Sequence, residues 1–270
     1  SRNLRKFFKN IYSYTPSSLI KQDQSWREIF YNDSQNLKNL IKESPNNINY
    51  WAPWAKLNYQ LWKPKLIYEL LTNDNRIKNN DLIFYHDVNC IKYPDYLINT
   101  NLIETFIREN LYKKSILLFR DYMIELRHDT KQELLRKYLK WDGKFLYHVW
   151  SGCFAIKKNK DSVNFISRWL KMTELLENRS QFTKYPNYKN FYWHSPEQGT
   201  LSVSYYLSVN DPKIFNQIKL INLNNSRIIP PNNLYKDKNF IFKYLKVKVK
   251  SIISLLIVFY IFKIRNLKID

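Results

Sequence analysis

Glycine is scarce in this sequence, which contains only Gly143, Gly152 and Gly199 in 270 residues. An average usage of about 7% would place roughly 19 glycines in a chain of this length. The Rossmann fingerprint G-x-G-x-x-G and the Walker A loop both need clustered glycines that let the backbone approach phosphate groups. Both nucleotide-binding motifs are therefore excluded, and any nucleotide site in this protein depends on a different arrangement.

Cysteine is also scarce, because Cys90 and Cys153 are the only two thiols. Two cysteines cannot form a cysteine-rich zinc cluster or a framework of several disulfides, so we expect a reducing compartment, although a single disulfide stays open. Apolar residues make up 44% of the sequence. That content can fill the core of one enzyme domain with an appendage, which excludes a disordered protein.

Long apolar runs are missing, and the nearest approach to one is residues 251–262 (SIISLLIVFYIF), which are uncharged and strongly apolar. Twelve helical residues span about 18 Å, well short of the hydrocarbon core of about 30 Å. Residues 236–270 carry nine basic and two acidic side chains. One interpretation of the tail 234–270 is therefore an anchor on the anionic cytoplasmic face of a membrane. The other is a buried helix or strand that packs on the core of a cytoplasmic protein.

Acidic residues are outnumbered, since 23 Asp and Glu face 44 Lys and Arg, for a formal net charge of +21. Such a charge suits a nucleic-acid-binding protein. A general compositional bias toward Lys, Asn, Ile and Tyr explains it equally simply. Because the aromatic residues are spread along the chain and no nucleic-acid motif is present, we favour the bias and expect no nucleic-acid partner.

Buried apolar runs alternate with amphipathic segments between residues 62 and 223. This alternation predicts an α/β domain with a mostly parallel sheet flanked by helices. The predicted strands are residues 81–88, 115–120, 150–156 and 218–223. The predicted helices are residues 25–31, 65–71, 130–139, 161–177 and 200–207. We expect residues 1–233 to form one catalytic domain, with residues 234–270 as the separate tail.

The strongest local motif is residues 85–89 (YHDVN), at the end of the predicted strand 81–88. Asp87 and Asn89 are two positions apart, so an extended backbone directs both side chains to the same side. Their oxygen atoms suit Mg²⁺ or Mn²⁺, which is often held by one or two protein groups and by substrate phosphate. The alternative is an ordinary turn in which both side chains bind local backbone.

The order of several further motifs carries a family resemblance. Residues 58–64 (NYQLWKP), a predicted helix and residues 81–89 (DLIFYHDVN) follow one another. Downstream come residues 127–131 (RHDTK), 150–157 (WSGCFAIK) and 194–202 (HSPEQGTLS). In this order they resemble the small GT-A-type glycosyltransferases of bacterial and viral surface-polysaccharide clusters. The matches are collinear over residues 50–205, which makes them more specific together than any one alone.

The resemblance implies a GT-A-like enzyme that moves a sugar from a nucleotide-diphosphate donor to a glycan or lipid-linked acceptor. It implies catalytic roles for Asp87 and Glu197 and a metal ion, Mn²⁺ or Mg²⁺, held by Asp87, Asn89 and His194. It also implies that Lys63, Trp62 and Gln198 bind the nucleotide-sugar donor.

Each implied role has a structural alternative. Lys63 pairs with phosphate or stays in water, and Trp62 stacks on a sugar or base or packs in the core. His194 binds the donor phosphate or metal, or it satisfies backbone carbonyls. Glu197 contacts the acceptor or donor sugar, or it caps the amino end of the following helix.

The sequence departs from the family pattern at four points, one of which is that Asn58 and Gln60 stand where glycines flank the Trp-Lys-Pro element. Asn89 stands where a second acid is usual, and Glu197 stands where the loop acid is usually Asp. No strand that would hold the nucleotide base is evident in residues 1–20, so we expect a GT-A-like domain that lacks its first strand through truncation. A catalytically degenerate GT-A-like domain is therefore the main alternative function, ahead of a basic nucleic-acid-binding protein.

Overall fold

The computed structural model describes residues 14–31, 58–87, 100–179 and 194–222. All of them belong to the first of the two units, Ser1–Ile228 and Ile229–Asp270, into which the chain divides. Asn89, Cys90 and the tail 234–270 lie outside the described residues, so the predictions about them stay predictions. In the described part, no helix is long and apolar enough to cross a membrane.

The described elements alternate between helices and strands, as the apolar pattern predicts. The helices are α1 Pro16–Gln22, α2 Ser25–Tyr31, α3 Trp62–Thr72, α4 Thr100–Asn110, α5 Leu126–Asp129, α6 Gln132–Leu139, α7 Lys160–Glu174, α8 Leu176–Arg179, α9 Pro196–Ser208 and α10 Pro212–Phe215. The strands are β1 Leu82–His86, β2 Ile116–Glu125, β3 Tyr147–Lys157 and β4 Ile218–Asn222. A 3₁₀ turn, Asn58–Leu61, leads directly into α3.

The described strands form one sheet in the order β1-β3-β2-β4. Strand β3 pairs antiparallel with both β1 and β2, whereas β2 and β4 pair in parallel. Strands β1, β2 and β4 therefore run in one direction and β3 runs against them. The prediction of an α/β fold is confirmed, but the prediction of a mostly parallel sheet is wrong for the described strands, since two of the three pairings are antiparallel.

Apolar side chains cover both faces of the sheet. On one face, Ile116 and Leu118 of β2 pack in a cluster that includes Ile67 of α3 and Trp169 of α7. On the other face, Leu117 packs in a second cluster with residues from the end of α4. Because successive side chains of a strand point to opposite faces, a strand covered on both sides needs a continuous apolar run. This burial explains why β2 and β3 carry the pattern expected of parallel strands.

Helix α7 begins at a well-formed cap. The Asn159 side chain accepts a hydrogen bond of 2.9 Å from the Ser162 backbone N–H, and the Ser162 hydroxyl accepts one of 3.0 Å from the Asn159 backbone N–H. Such a reciprocal capping box satisfies two donors that would otherwise lack partners at a helix start. Trp169 of α7 is fully buried in the cluster that packs on the sheet.

Candidate functional site

Lys63 is buried at the start of α3, where only 2% of its surface is exposed. The helix is anchored by Leu66, Ile67, Leu70 and Leu71, all of which are buried. This anchoring directs the amino end of α3 toward the carboxyl end of β1. The alternative in which Lys63 stays in water is therefore wrong.

The Lys63 ammonium joins two carboxylates that are far apart in sequence. Its Nζ lies 3.1 Å from Asp87 Oδ2 and 2.5 Å from Glu197 Oε1. Asp87 is 24 residues from Lys63, and Glu197 is 134 residues from it. The motif order predicts that Glu197 and His194 both lie within one substrate length of Asp87, and these contacts confirm the prediction for Glu197. We call Lys63, Asp87 and Glu197 the ion cluster.

Two opposing effects act on the pKa of Lys63. Burial alone lowers it, while the charges and hydrogen bonds of Glu197 and Asp87 raise it to above its ordinary value of 10.5. The ammonium also lies 5.4 Å from the ring centre of Tyr85 and 5.8 Å from that of Trp62. The lysine is therefore charged at neutral pH.

Asp87 is positioned by the sheet. Its backbone N–H donates a 2.8 Å hydrogen bond to the Gly152 carbonyl of β3, and the Tyr85 hydroxyl donates to its Oδ1. A Cβ at Gly152 would come within 2.7 Å of the Trp150 ring, so glycine permits this close packing. The Asp87 side chain is 28% exposed, which leaves the carboxylate accessible directly after the carboxyl end of β1.

Glu197 lies in the first turn of α9, directly after Pro196. Its carbonyl accepts a 2.9 Å hydrogen bond from the indole N–H of Trp169, which ties this turn to α7. Its carboxylate faces Lys63 and, at 3.1 Å, the hydroxyl of Ser151. Glu197 thus contributes to the ion cluster, and its side chain is 15% exposed.

A chain of buried polar side chains extends the ion cluster inward. The Ser151 hydroxyl of β3 lies 3.1 Å from Gln198 Oε1, and Gln198 Nε2 lies 3.1 Å from His148 Nδ1. The other ring nitrogen of His148 lies 2.9 Å from Asp129 Oδ2, outside hydrogen-bond alignment. Sequence reasoning missed Ser151, His148 and Asp129 as site residues. In the sequence they are marked only by being polar residues within apolar segments or within the motifs.

His194 has both ring nitrogens on backbone groups. Its Nε2 lies 2.6 Å from the Asn178 carbonyl, and the Lys131 backbone N–H reaches its Nδ1 at 3.5 Å. Burial, and next the nearby Lys131 charge, lowers the pKa of His194 to about 3. This neutral imidazole matches the structural alternative, in which the histidine satisfies a backbone carbonyl.

The loop that carries His194 is packed tightly against the segment after β2. The Ser195 backbone N–H donates a 2.8 Å hydrogen bond to the Asp129 carbonyl. A Cβ at Gly199 would come within 2.9 Å of Thr130 Oγ1, so the helix approaches this segment closely only because residue 199 is glycine. The close contact sets the position from which Glu197 reaches Lys63.

The predicted donor-binding residues lie around the ion cluster. Lys63 is its centre, Gln198 contacts it through Ser151, and the half-buried Trp62 ring lies 6.3 Å from that of Tyr85. Trp62 also packs against the core on one side, as the structural alternative expects. The structure therefore brings together Lys63, Trp62, Asp87, Glu197 and Gln198.

The metal site predicted at Asp87, Asn89 and His194 stays a prediction, because Asn89 lies outside the described residues. Among them, no group of three or more His, Cys, Asp or Glu side chains is arranged to hold one. His194 directs both nitrogens to the backbone, and the Lys63 ammonium lies where a cation bridging Asp87 and Glu197 would need to be. Magnesium and manganese need several oxygen ligands around them, which leaves no room for that ammonium.

No protein-family model, curated protein or solved structure matches this chain. The family resemblance therefore depends on the motifs and on the geometry of the site.

Proposed function

We propose that this protein is a glycosyltransferase that moves a sugar from a nucleotide-diphosphate donor to a glycan or lipid-linked acceptor. One observation carries the proposal: Lys63, Asp87 and Glu197 meet in a single ion cluster. They come from the Trp-Lys-Pro, Tyr-x-Asp and His-x-x-Glu-Gln motifs on which the resemblance was based. A resemblance produced by composition alone gives no reason for these three motifs to converge.

The site has the chemistry that sugar transfer needs. Asp87 and Glu197 offer partly exposed carboxylate oxygens, which accept hydrogen bonds from sugar hydroxyls or a proton from the attacking acceptor hydroxyl. The rings of Tyr85 and Trp62 stand beside them, and aromatic faces suit the apolar side of a sugar. The chain's net charge of +21 favours the approach of an anionic donor. We assign the catalytic roles to Asp87 and Glu197.

The test is a panel of nucleotide-diphosphate sugars, with release of nucleoside diphosphate and transfer of labelled sugar as the readouts. We expect at least one donor to be turned over, and Asp87→Asn to reduce turnover by roughly 100-fold or more, as for loss of a preorganised charged group. Asp142→Asn is the matched control, because Asp142 pairs with the exposed Lys144 on a surface loop. It should retain full turnover.

The same panel separates the alternatives. Donor binding without turnover indicates a catalytically degenerate domain. If no donor binds and the protein instead binds single-stranded RNA with a steep salt dependence, it is a basic nucleic-acid-binding protein and the proposal fails.

A further inference from the structure

We propose that the Lys63 ammonium is a built-in cation that excludes a divalent metal ion from the Asp87 and Glu197 carboxylates, which form a metal site only when the lysine is removed. The exclusion follows from the geometry of the ion cluster. Its consequence for catalysis, sugar transfer without added metal, rests on the proposed function.

The ammonium is fixed at the shared position of the two carboxylates. Lys63 Nζ lies 3.1 Å from Asp87 Oδ2, 2.5 Å from Glu197 Oε1 and 3.5 Å from Ser151 Oγ. Only 2% of the residue is exposed. A buried lysine must keep its charged partners, because moving it out of contact leaves charges in a poorly solvated place. The ammonium is therefore a permanent part of the site.

A divalent ion and this ammonium cannot share the carboxylates. A hard cation such as Mg²⁺ binds oxygen at about 2.1 Å. An ion in contact with both Asp87 and Glu197 would therefore lie against Lys63 Nζ, where two like-signed charges repel strongly at low dielectric. The tether of Lys63 to α3, whose apolar residues are buried in the core, prevents the side chain from simply withdrawing.

Removing the Lys63 ammonium should make the binding of a divalent ion to the two carboxylates favourable. In Lys63→Met the side chain keeps a similar length and apolar packing but loses its charge. Asp87 and Glu197 then lose the ammonium that lay between them, and each of two neighbouring carboxylates disfavours the charged form of the other unless a cation or proton joins them. Their oxygens suit Mn²⁺ or Mg²⁺, so a divalent ion is the favoured occupant at neutral pH.

The experiment titrates Mn²⁺ into the full chain without any nucleotide sugar and measures free Mn²⁺ by electron paramagnetic resonance. We expect no stoichiometric site in the wild type and one site per chain in Lys63→Met, with affinity at least tenfold higher. The double variant Lys63→Met with Asp87→Asn should lose that site. Lys65→Met is the matched control on the same helix, since Lys65 pairs with the partly exposed Glu69 at 3.7 Å, and it should not gain a site.

Two results overturn the proposal. The first is a stoichiometric Mn²⁺ site in the wild type that disappears in Asp87→Asn. The second is a folded Lys63→Met variant, checked by circular dichroism, that gains no site. If Lys63→Met does not fold, the comparison of the wild type with Asp87→Asn decides the question. Turnover of the sugar panel in EDTA is a separate readout, so failure of the proposed function leaves the Mn²⁺ result standing.

Discussion

At the scale of single residues, the buried polar groups of the candidate site lie beside other polar groups. Lys63 is tied to two carboxylates, His148 lies between Gln198 and Asp129, and His194 contacts two backbone groups. Burying such groups costs free energy unless their hydrogen-bonding capacity is met. These contacts converge on one end of the sheet, so the free-energy cost of burying polar groups is concentrated there. A functional site is the usual reason for such a concentration.

The buried His194 predicts a dependence of stability on pH. Its pKa is about 3 in the folded protein and about 6.5 when unfolded, so the unfolded state takes up the proton first. Stability from this residue is full above pH 6.5 and falls as the pH drops toward 3, by up to about 1.4 kcal/mol per pH unit. Urea unfolding of the wild type and His194→Gln at pH 7 and pH 5 measures the difference.

In His194→Gln no titrating ring is left, so its loss of stability between pH 7 and pH 5 should be smaller than that of the wild type. Equal losses in the two proteins would contradict a neutral, buried imidazole at this position.

At the scale of elements, the helices and strands with uninterrupted apolar patterns were predicted well. The predicted strands 81–88, 115–120, 150–156 and 218–223 correspond to β1, β2, β3 and β4. Strand direction was not predictable, because burial on both faces produces the same apolar run in parallel and antiparallel strands. Helix α4 was missed because its sequence, TNLIETFIREN, contains more polar than apolar residues, although the apolar ones recur at helical spacing.

The site was predictable to the extent that its residues lay in recognisable motifs. Lys63, Asp87 and Glu197 stand in such motifs, and the fold joins them. Ser151 lies inside the motif 150–157 and His148 lies just before it, but neither was assigned a role, because each is a single polar residue within the apolar strand β3. Their importance arises only from packing against α9, which local sequence does not encode.

The contact between α9 and β3 gives a prediction at this scale. The Val149 backbone N–H of β3 donates a 2.9 Å hydrogen bond to the buried hydroxyl of Ser202 on α9. In Ser202→Ala this donor loses that acceptor, and an unsatisfied buried donor costs about 1–3 kcal/mol. We therefore expect the free energy of unfolding in urea to fall by that amount.

Ser204→Ala is the matched control for Ser202→Ala. Ser204 is also buried on α9, but its hydroxyl lies 4.0 Å from the sulfur of Met172, which is a weak acceptor. This variant should change stability by much less. If the two alanine variants lose the same stability, the hydrogen bond to β3 does not carry the effect.

At the scale of the whole molecule, charge and apolar residues are divided unevenly along the chain. The described core holds the candidate site, while residues 236–270 carry nine basic and two acidic side chains around the uncharged segment 251–262. A segment too short to span a bilayer but flanked by cations suits the surface of an anionic membrane. Such an attachment would keep the proposed glycosyltransferase beside a lipid-linked acceptor.

The tail therefore predicts how the protein partitions with membranes. We expect the full chain to sediment with liposomes that contain anionic lipid, each basic residue near the surface contributing about 1 kcal/mol. Salt at 1 M shortens the Debye length to roughly 3 Å and weakens this attraction, but it leaves apolar insertion intact. High salt should release only part of the bound protein.

A chain that ends at Asn233 should remain in the supernatant and keep its donor turnover. If that shortened chain aggregates or unfolds instead, residues 251–262 belong to the core, and the membrane interpretation is wrong.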